Sequence, residues 1–267
     1  MKHLFYILFL FITLSSCSEY QKALKSEEIS DKFSVGVKMY EAGKYNKANR
    51  LFQQIVPNYR GKPQAEKLMF LYADTFYQTE DFYSAGYQYS RFVTAYPKSE
   101  KVEEAAYKSA LAYYKLSPVY SKNQEETYEA LEKLQLFANI YPDSKYLPEV
   151  NTMVKELDYK LEKKAFEIAK QYGRIAPAMG TFSACLTSCN NFLSEFPGST
   201  FKEEVMYIRY ATAKELADKS VPWKKEERTK EAKEFLDILK NTFPNSRFLE
   251  DSNQEVSENK VEEGETK

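Results

Sequence analysis

A chain of 267 residues with a net charge of −1, its basic residues spread throughout, lacks the electrostatic footprint of a nucleic-acid binder. Glycine, at 8 residues, is too scarce for a Gly-rich phosphate loop or a turn-rich β fold. The one histidine, His3, lies in the extreme N-terminal segment, so the rest of the chain can build neither a His-based nucleophile system nor a His-containing metal site, and no enzyme is expected.

Lys2 and His3 precede an apolar run from Leu4 to Leu14. A bilayer-spanning helix needs about 20 apolar residues. The shorter run predicts the core of a cleaved secretory signal over residues 1–16. It ends in Leu14-Ser15-Ser16-Cys17, which resembles the bacterial lipobox: a branched residue, two small ones and the cysteine that is acylated. Cys17 is thus the expected lipidation site, and several acyl chains on one residue anchor a protein stably. Residues 17–28 would form the lipid-anchored tether. No cofactor or metal is expected beyond this covalent lipid.

From residue 29 apolar positions recur at steps of three and four, the mark of amphipathic helices. The pattern predicts helix pairs at about 31–42 with 46–57, 63–79 with 83–95, and 101–115 with 126–140. Two more follow at about 147–172 with 181–194 and 201–217 with 228–242. Pro148 suits a first helical position and sets the start of the 147 helix. No comparable stretch alternates as a strand would, so the fold class is all-α.

The second helices repeat one another. Phe92 to Tyr96-Pro97-Lys98-Ser99 reads like Phe137 to Tyr141-Pro142-Asp143-Ser144, Phe192 to Phe196-Pro197-Gly198-Ser199, and Leu239 to Phe243-Pro244-Asn245-Ser246. The prolines stand 45, 55 and 47 residues apart. Counting back twelve from each gives Ala85, Ala130, Cys185 and Ala232; eight gives Tyr89, Leu134, Cys189 and Leu236; five gives Phe92, Phe137, Phe192 and Leu239. An earlier copy has Ala48, Phe52, Ile55 and Tyr59, with Arg60 in place of the proline. A small residue followed by a bulky one before a Pro resembles the second half of a tetratricopeptide (TPR) repeat. Each Pro stops its helix, and the Ser after it can cap the next. About five such repeats, ten helices, are expected to stack into a curved solenoid over 29–249, with N-terminal repeats at 29–140 and C-terminal repeats at 141–249.

The turns inside the pairs lengthen along the chain: Gly43-Lys44 and Glu80-Asp81 are tight, whereas Ser117–Glu125, Gly173–Gly180 and Asp218–Glu227 read as loops. Loops on a rigid scaffold commonly carry binding. The expected division is a plain N-terminal groove for one ligand and a decorated half for a permanent partner, with the sole Trp, Trp223, on that edge. Cys185 and Cys189 fall in core slots and read as small buried residues. Tyr40, Tyr45, Tyr72 and Tyr77 lie at helix-face spacings and read as core or as the lining of a peptide groove. Residues 250–267 lack periodic apolar positions and predict a disordered acidic tail.

The lipobox at Cys17, the start Ser18-Glu19-Tyr20-Gln21-Lys22, Gly43-Lys44-Tyr45-x-x-Ala48, the Phe-x3-Tyr-Pro-x-Ser repeats and Leu161-Glu162-Lys163-Lys164-Ala165-Phe166 together resemble the BamD-like TPR lipoproteins of Bacteroidetes-type bacteria. That resemblance covers about residues 14–250. It implies an outer-membrane lipoprotein on the periplasmic face, part of the β-barrel protein assembly machinery. Its implied partners are unfolded outer-membrane protein precursors, the POTRA domains of the BamA-type barrel subunit and the membrane, and not nucleic acid. A basic residue of the long central helix, matched here by Lys160, is tied to POTRA docking in the family. The sequence departs from the family pattern at Arg60 and at Arg174–Gly180. An alternative is a SusD-like lipoprotein capturing glycans or other nutrients beside an outer-membrane transporter. Its usual Trp-rich sugar-binding region has no counterpart in a chain with one Trp.

Overall fold

The computed structural model describes residues 19–59 and 61–249. The expected signal at 1–16, the lipidated Cys17, the altered exit at Arg60 and the tail at 250–267 lie outside the described residues. Among those described, the chain is all-α, with no strand. It divides into two compact units, the first ending at Leu157 and the second beginning at Asp158.

In the first unit a helical stretch at 19–25 precedes α1 (Ile29–Glu41), α2 (Tyr45–Ile55), α3 (Ala65–Gln78), α4 (Phe82–Ala95), α5 (Val102–Leu116) and α6 (Glu125–Ile140). The second unit holds most of α7 (Leu147–Met179), then α8 (Phe182–Glu195), α9 (Lys202–Asp218) and α10 (Pro222–Thr242). Each pair expected from the periodicity is present. Residues 19–25 are not a bare spacer: Tyr20 and Ala23 are buried with Phe33, Phe52 and Tyr59 in the core of the first repeat.

The slots counted from each proline are the core. Ala48, Ala85, Ala130 and Cys185 are fully buried, as are Phe52, Tyr89, Leu134 and Cys189 one turn later. The small residue lets two helices approach, and the bulky one fills the space beside it. In the first pair the approach needs a glycine: a Cβ on Gly36 would stand 2.5 Å from the Phe52 ring. Leu236, in the last pair, is the slot residue that stays only partly buried.

The serines after Pro97, Pro142 and Pro197 join one repeat to the next. Ser99 Oγ accepts the Lys101 N–H at 3.0 Å and donates to Glu66 of α3 at 2.5 Å. Ser144 bonds Tyr146 N–H and Glu103 in the same way, at 3.1 and 2.6 Å, and Ser199 bonds Phe201 N–H and Glu162 at 2.9 and 2.5 Å. One hydroxyl thus satisfies an orphan amide at a helix start and an acid of the helix before it. Replacing Ser99, Ser144 or Ser199 with alanine should each cost about 1 kcal/mol, read as a drop in the denaturant midpoint at unchanged slope.

Two expected loops are helix. α7 runs on to Met179 through Pro177, instead of ending near residue 172. A proline one turn from a helix end forfeits a single hydrogen bond. The last turn is held by buried Ala176, and Gly180, at φ 70°, closes the helix with its N–H on Ala176 O at 2.9 Å. Likewise α10 starts at Pro222, six residues early, because Pro at a first helical position needs no N–H partner. Of the three expected decorated turns only 117–124 remains a loop, tied by buried Gln124, whose Nε2 donates to Val119 O at 2.9 Å. The notion of a C-terminal half marked by long loops is corrected accordingly.

α7, at 33 residues, serves two cores: Val150, Met153 and Leu157 belong to that of the first unit, and Phe166, Ala169 and Ala176 to that of the second. Glu162, the serine-bonded acid, stands in α7 where Glu66 and Glu103 stand in the first turns of α3 and α5. The long helix is thus a closing helix and a first helix joined without a break, and the chain divides at the joint rather than at residue 140.

Candidate protein-binding face

The first helices α1, α3 and α5 place Tyr40, Asp74 and Lys108 side by side, each 34 residues from the next. Asp74 is buried and its carboxylate receives four donors. Tyr40 Oη (2.6 Å) and Gln78 Nε2 (3.2 Å) bond Oδ2; Tyr89 Oη from α4 (2.6 Å) and Lys108 Nζ (2.5 Å) bond Oδ1. Four donors match the lone-pair capacity of a carboxylate. Lys108 also lies 3.6 Å from Glu104, and over the Phe70 ring at 5.3 Å.

Burial alone would raise the Asp74 pKa, but the bonds from Lys108, Tyr40 and Tyr89 outweigh it and hold the carboxyl below its ordinary value. The same contacts, after burial itself, raise the hydroxyls of Tyr40 and Tyr89 far above the usual tyrosine range. The motif recurs along this face. Tyr107 is raised by burial and by its bond to Glu149 and stacks on Tyr146 at 4.1 Å; Tyr114, bonded to Glu156, is pushed up to about 12. Tyrosine hydroxyls therefore stay protonated and donate inward to carboxylates. Tyr89 and Tyr107 are buried, while the remaining lone pairs and ring edges of the part-exposed Tyr40 and Tyr114 suit peptide N–H groups and apolar side chains. The Asp74 carboxylate, saturated with donors, serves to hold this face together.

The structure brings Tyr40 and Tyr77 to this face: Tyr77 is raised by burial and by the charges of Asp74 and Glu149, and packs on Phe82 at 5.4 Å. Tyr45 sits edge-on to Tyr40 at 5.4 Å. Tyr72 is a buried core residue against Phe76. Asp74 and Lys108 are not singled out by the sequence, and Tyr89 is read from it only as a core slot. The available signal was an acid inside the apolar run Phe70-Leu71-Tyr72-Ala73-Asp74.

A cavity of about 700 Å³ opens elsewhere in the first unit, where the first repeat exits, between Val56, Tyr59, Ala65, Met69, Arg91 and Tyr96. In the second unit a smaller groove, about 280 Å³, has a floor of Gly173, Ala176, Ile208 and Ala211, beside the Lys170–Glu204 pair at 2.7 Å. Lys160 is half-buried on α7 in that unit, and Trp223 is exposed at the start of α10. Cys185 and Cys189 are free thiols in its core. Cys185 Sγ lies 3.2 Å from Thr212 Oγ1, and the Cys189 thiol is raised by its bond to Cys185 and by burial. No helix among the described residues is long and apolar enough to cross a membrane.

The chain is 20% identical over 230 residues to the outer membrane protein assembly factor BamD of Caulobacter vibrioides, covering 85% of this chain and 70% of that one. Among solved structures, a kinesin light chain protein of nearly identical TPR-like repeats from Podosopora anserina aligns with 83% of this chain and 100% of its own. That likeness, at 15% identity and a TM-score of 0.32, is too loose to add to the fold read from the helices themselves. The family model described as YfiO, outer membrane lipoprotein, matches residues 25–177, more than half of the chain. The chain belongs to the YfiO family of outer membrane lipoproteins.

Proposed function

We propose that this protein is a non-enzymatic scaffold of the outer-membrane β-barrel assembly machinery, tethered at Cys17 by lipid and facing the periplasm. The observation that carries this reading is the match along 85% of the chain to a protein named as an outer membrane protein assembly factor, within a family of outer membrane lipoproteins. The tyrosine-lined face of α1, α3 and α5 supports a role in receiving unfolded barrel precursors, whose backbones offer N–H groups in any sequence. The second unit, through α7 and Lys160, docks the POTRA domains of the barrel-forming subunit.

Purification of the protein from solubilised outer membrane should bring down a POTRA-bearing barrel protein, identified by mass spectrometry. Depletion should lower many barrel proteins at once. Recovery of a TonB-dependent transporter in its place, with unchanged barrel-protein levels, would refute the assembly role in favour of nutrient capture.

A further inference from the structure

The second unit has an apolar edge apart from its groove. Met179 ends α7, Val221 precedes α10, and Trp223 lies in the first turn of α10; they are 70%, 43% and 78% exposed. The turn between α9 and α10 is held against the end of α7. Lys219 Nζ donates to Pro177 O at 3.0 Å and lies 5.7 Å from the centre of the Phe182 ring, while Arg228 Nη1 donates to Ser220 Oγ at 2.7 Å. Three large apolar side chains therefore project from one braced edge.

The charges there have one predominant sign. Residues 219–228 hold Lys219, Lys224, Lys225 and Arg228 against Glu226 and Glu227. Lys219 is engaged with Glu215 at 2.9 Å, and Lys224 and Lys225 are exposed directly after Trp223. Cations are unfavourable at a helix N-terminus, where the macrodipole is positive. The first turn of α10, like those of α2, α4 and α8, holds no acid, and in α10 it carries Lys224 and Lys225. The lysine pair is thus placed against the helix's own electrostatics, an arrangement that an anionic surface would reverse.

A tryptophan beside aliphatic side chains, flanked by lysines that can extend to phosphates, has the chemistry of side chains at the headgroup level of a bilayer. We infer that this edge is a membrane contact: Trp223, Met179 and Val221 enter the interface of an anionic bilayer, and Lys224 and Lys225 pair with its headgroups. A bilayer is favoured over a protein partner because these side chains project outward from an edge instead of lining a recess. Membership of an outer membrane lipoprotein family also puts lipid within reach. The inference is independent of the assembly role.

Trp223 is the only tryptophan of the chain, so its fluorescence reports on this edge alone. The full lipoprotein is reconstituted into phosphatidylethanolamine–phosphatidylglycerol vesicles and, separately, phosphatidylcholine vesicles, each with and without brominated acyl chains. In the anionic vesicles emission should shift to the blue and be quenched by the brominated chains. The charge reversal Lys224→Glu/Lys225→Glu should reduce that quenching several-fold. Acids suit the positive end of the helix dipole at the start of α10, so folding is preserved, as circular dichroism would verify. The inference is overturned by emission that stays at the water-exposed maximum, or by equal quenching in both vesicle types. A blue shift that appears only on adding a POTRA-bearing fragment would overturn it too, assigning the edge to a protein partner.

Discussion

Asp74→Ala should destabilise the first unit by about 3 kcal/mol, the lower end of what breaking a buried ion pair costs. The substitution strips Lys108, Tyr40 and Tyr89 of their shared acceptor at once, and Tyr89 is fully buried. The cost stays at the lower end because Lys108 is partly exposed and retains Glu104 at 3.6 Å. Urea unfolding of the wild type and variant measures it. A loss under 1 kcal/mol would mean that the four donors find water as readily as they find the carboxylate. The pH dependence follows in sign. Asp74 has a folded-state pKa below its ordinary 3.8, so its contribution is complete above that value and is lost as pH falls through the folded pKa. The stability gap between wild type and Asp74→Asn should accordingly hold constant near neutrality and close in acid.

Phe92→Ala should cost about 3–5 kcal/mol, the range for deleting a buried aromatic ring. Phe92 is fully buried, with Phe70 edge-on at 5.5 Å and Tyr96 at 5.2 Å, and it occupies the bulky slot before Pro97. Leu136→Ala, on an exposed position of α6, should change stability by no more than about 0.5 kcal/mol. Hydrogen exchange localises the effect: in a stacked-repeat fold each element depends on its neighbours, so protection should fall first in α3, α4 and α5. If the two substitutions proved equally mild, the slots metered from proline would not be the core.

Those slots were legible in the sequence because each proline fixes the phase of the helix before it, and a fixed phase turns Ala85 and Phe92 into the same positions as Ala130 and Phe137. The Asp74 cluster was not. Its slot holds Tyr40, then Asp74, then Lys108, three unlike residues that complement one another only once stacked, whereas repeat comparison looks for residues that are alike. Pro177 and Pro222 misled for a related reason. Proline forbids helix in an interior but is harmless within a turn of either end, and local composition does not reveal which case applies. The continuity of α7 through Leu157 was legible, since its periodicity runs unbroken from 147 to 172, but the division of the chain within that helix was not.

The serine–glutamate junctions explain how repeats of unequal length coexist. Ser99, Ser144 and Ser199 are measured from the prolines before them, while their acids Glu66, Glu103 and Glu162 are measured from the helix they open or, in α7, continue. Whatever lies between two such fastenings can gain or lose residues without altering how either end seats. A chain built this way is therefore free to vary in span while the joinery between its modules stays interchangeable.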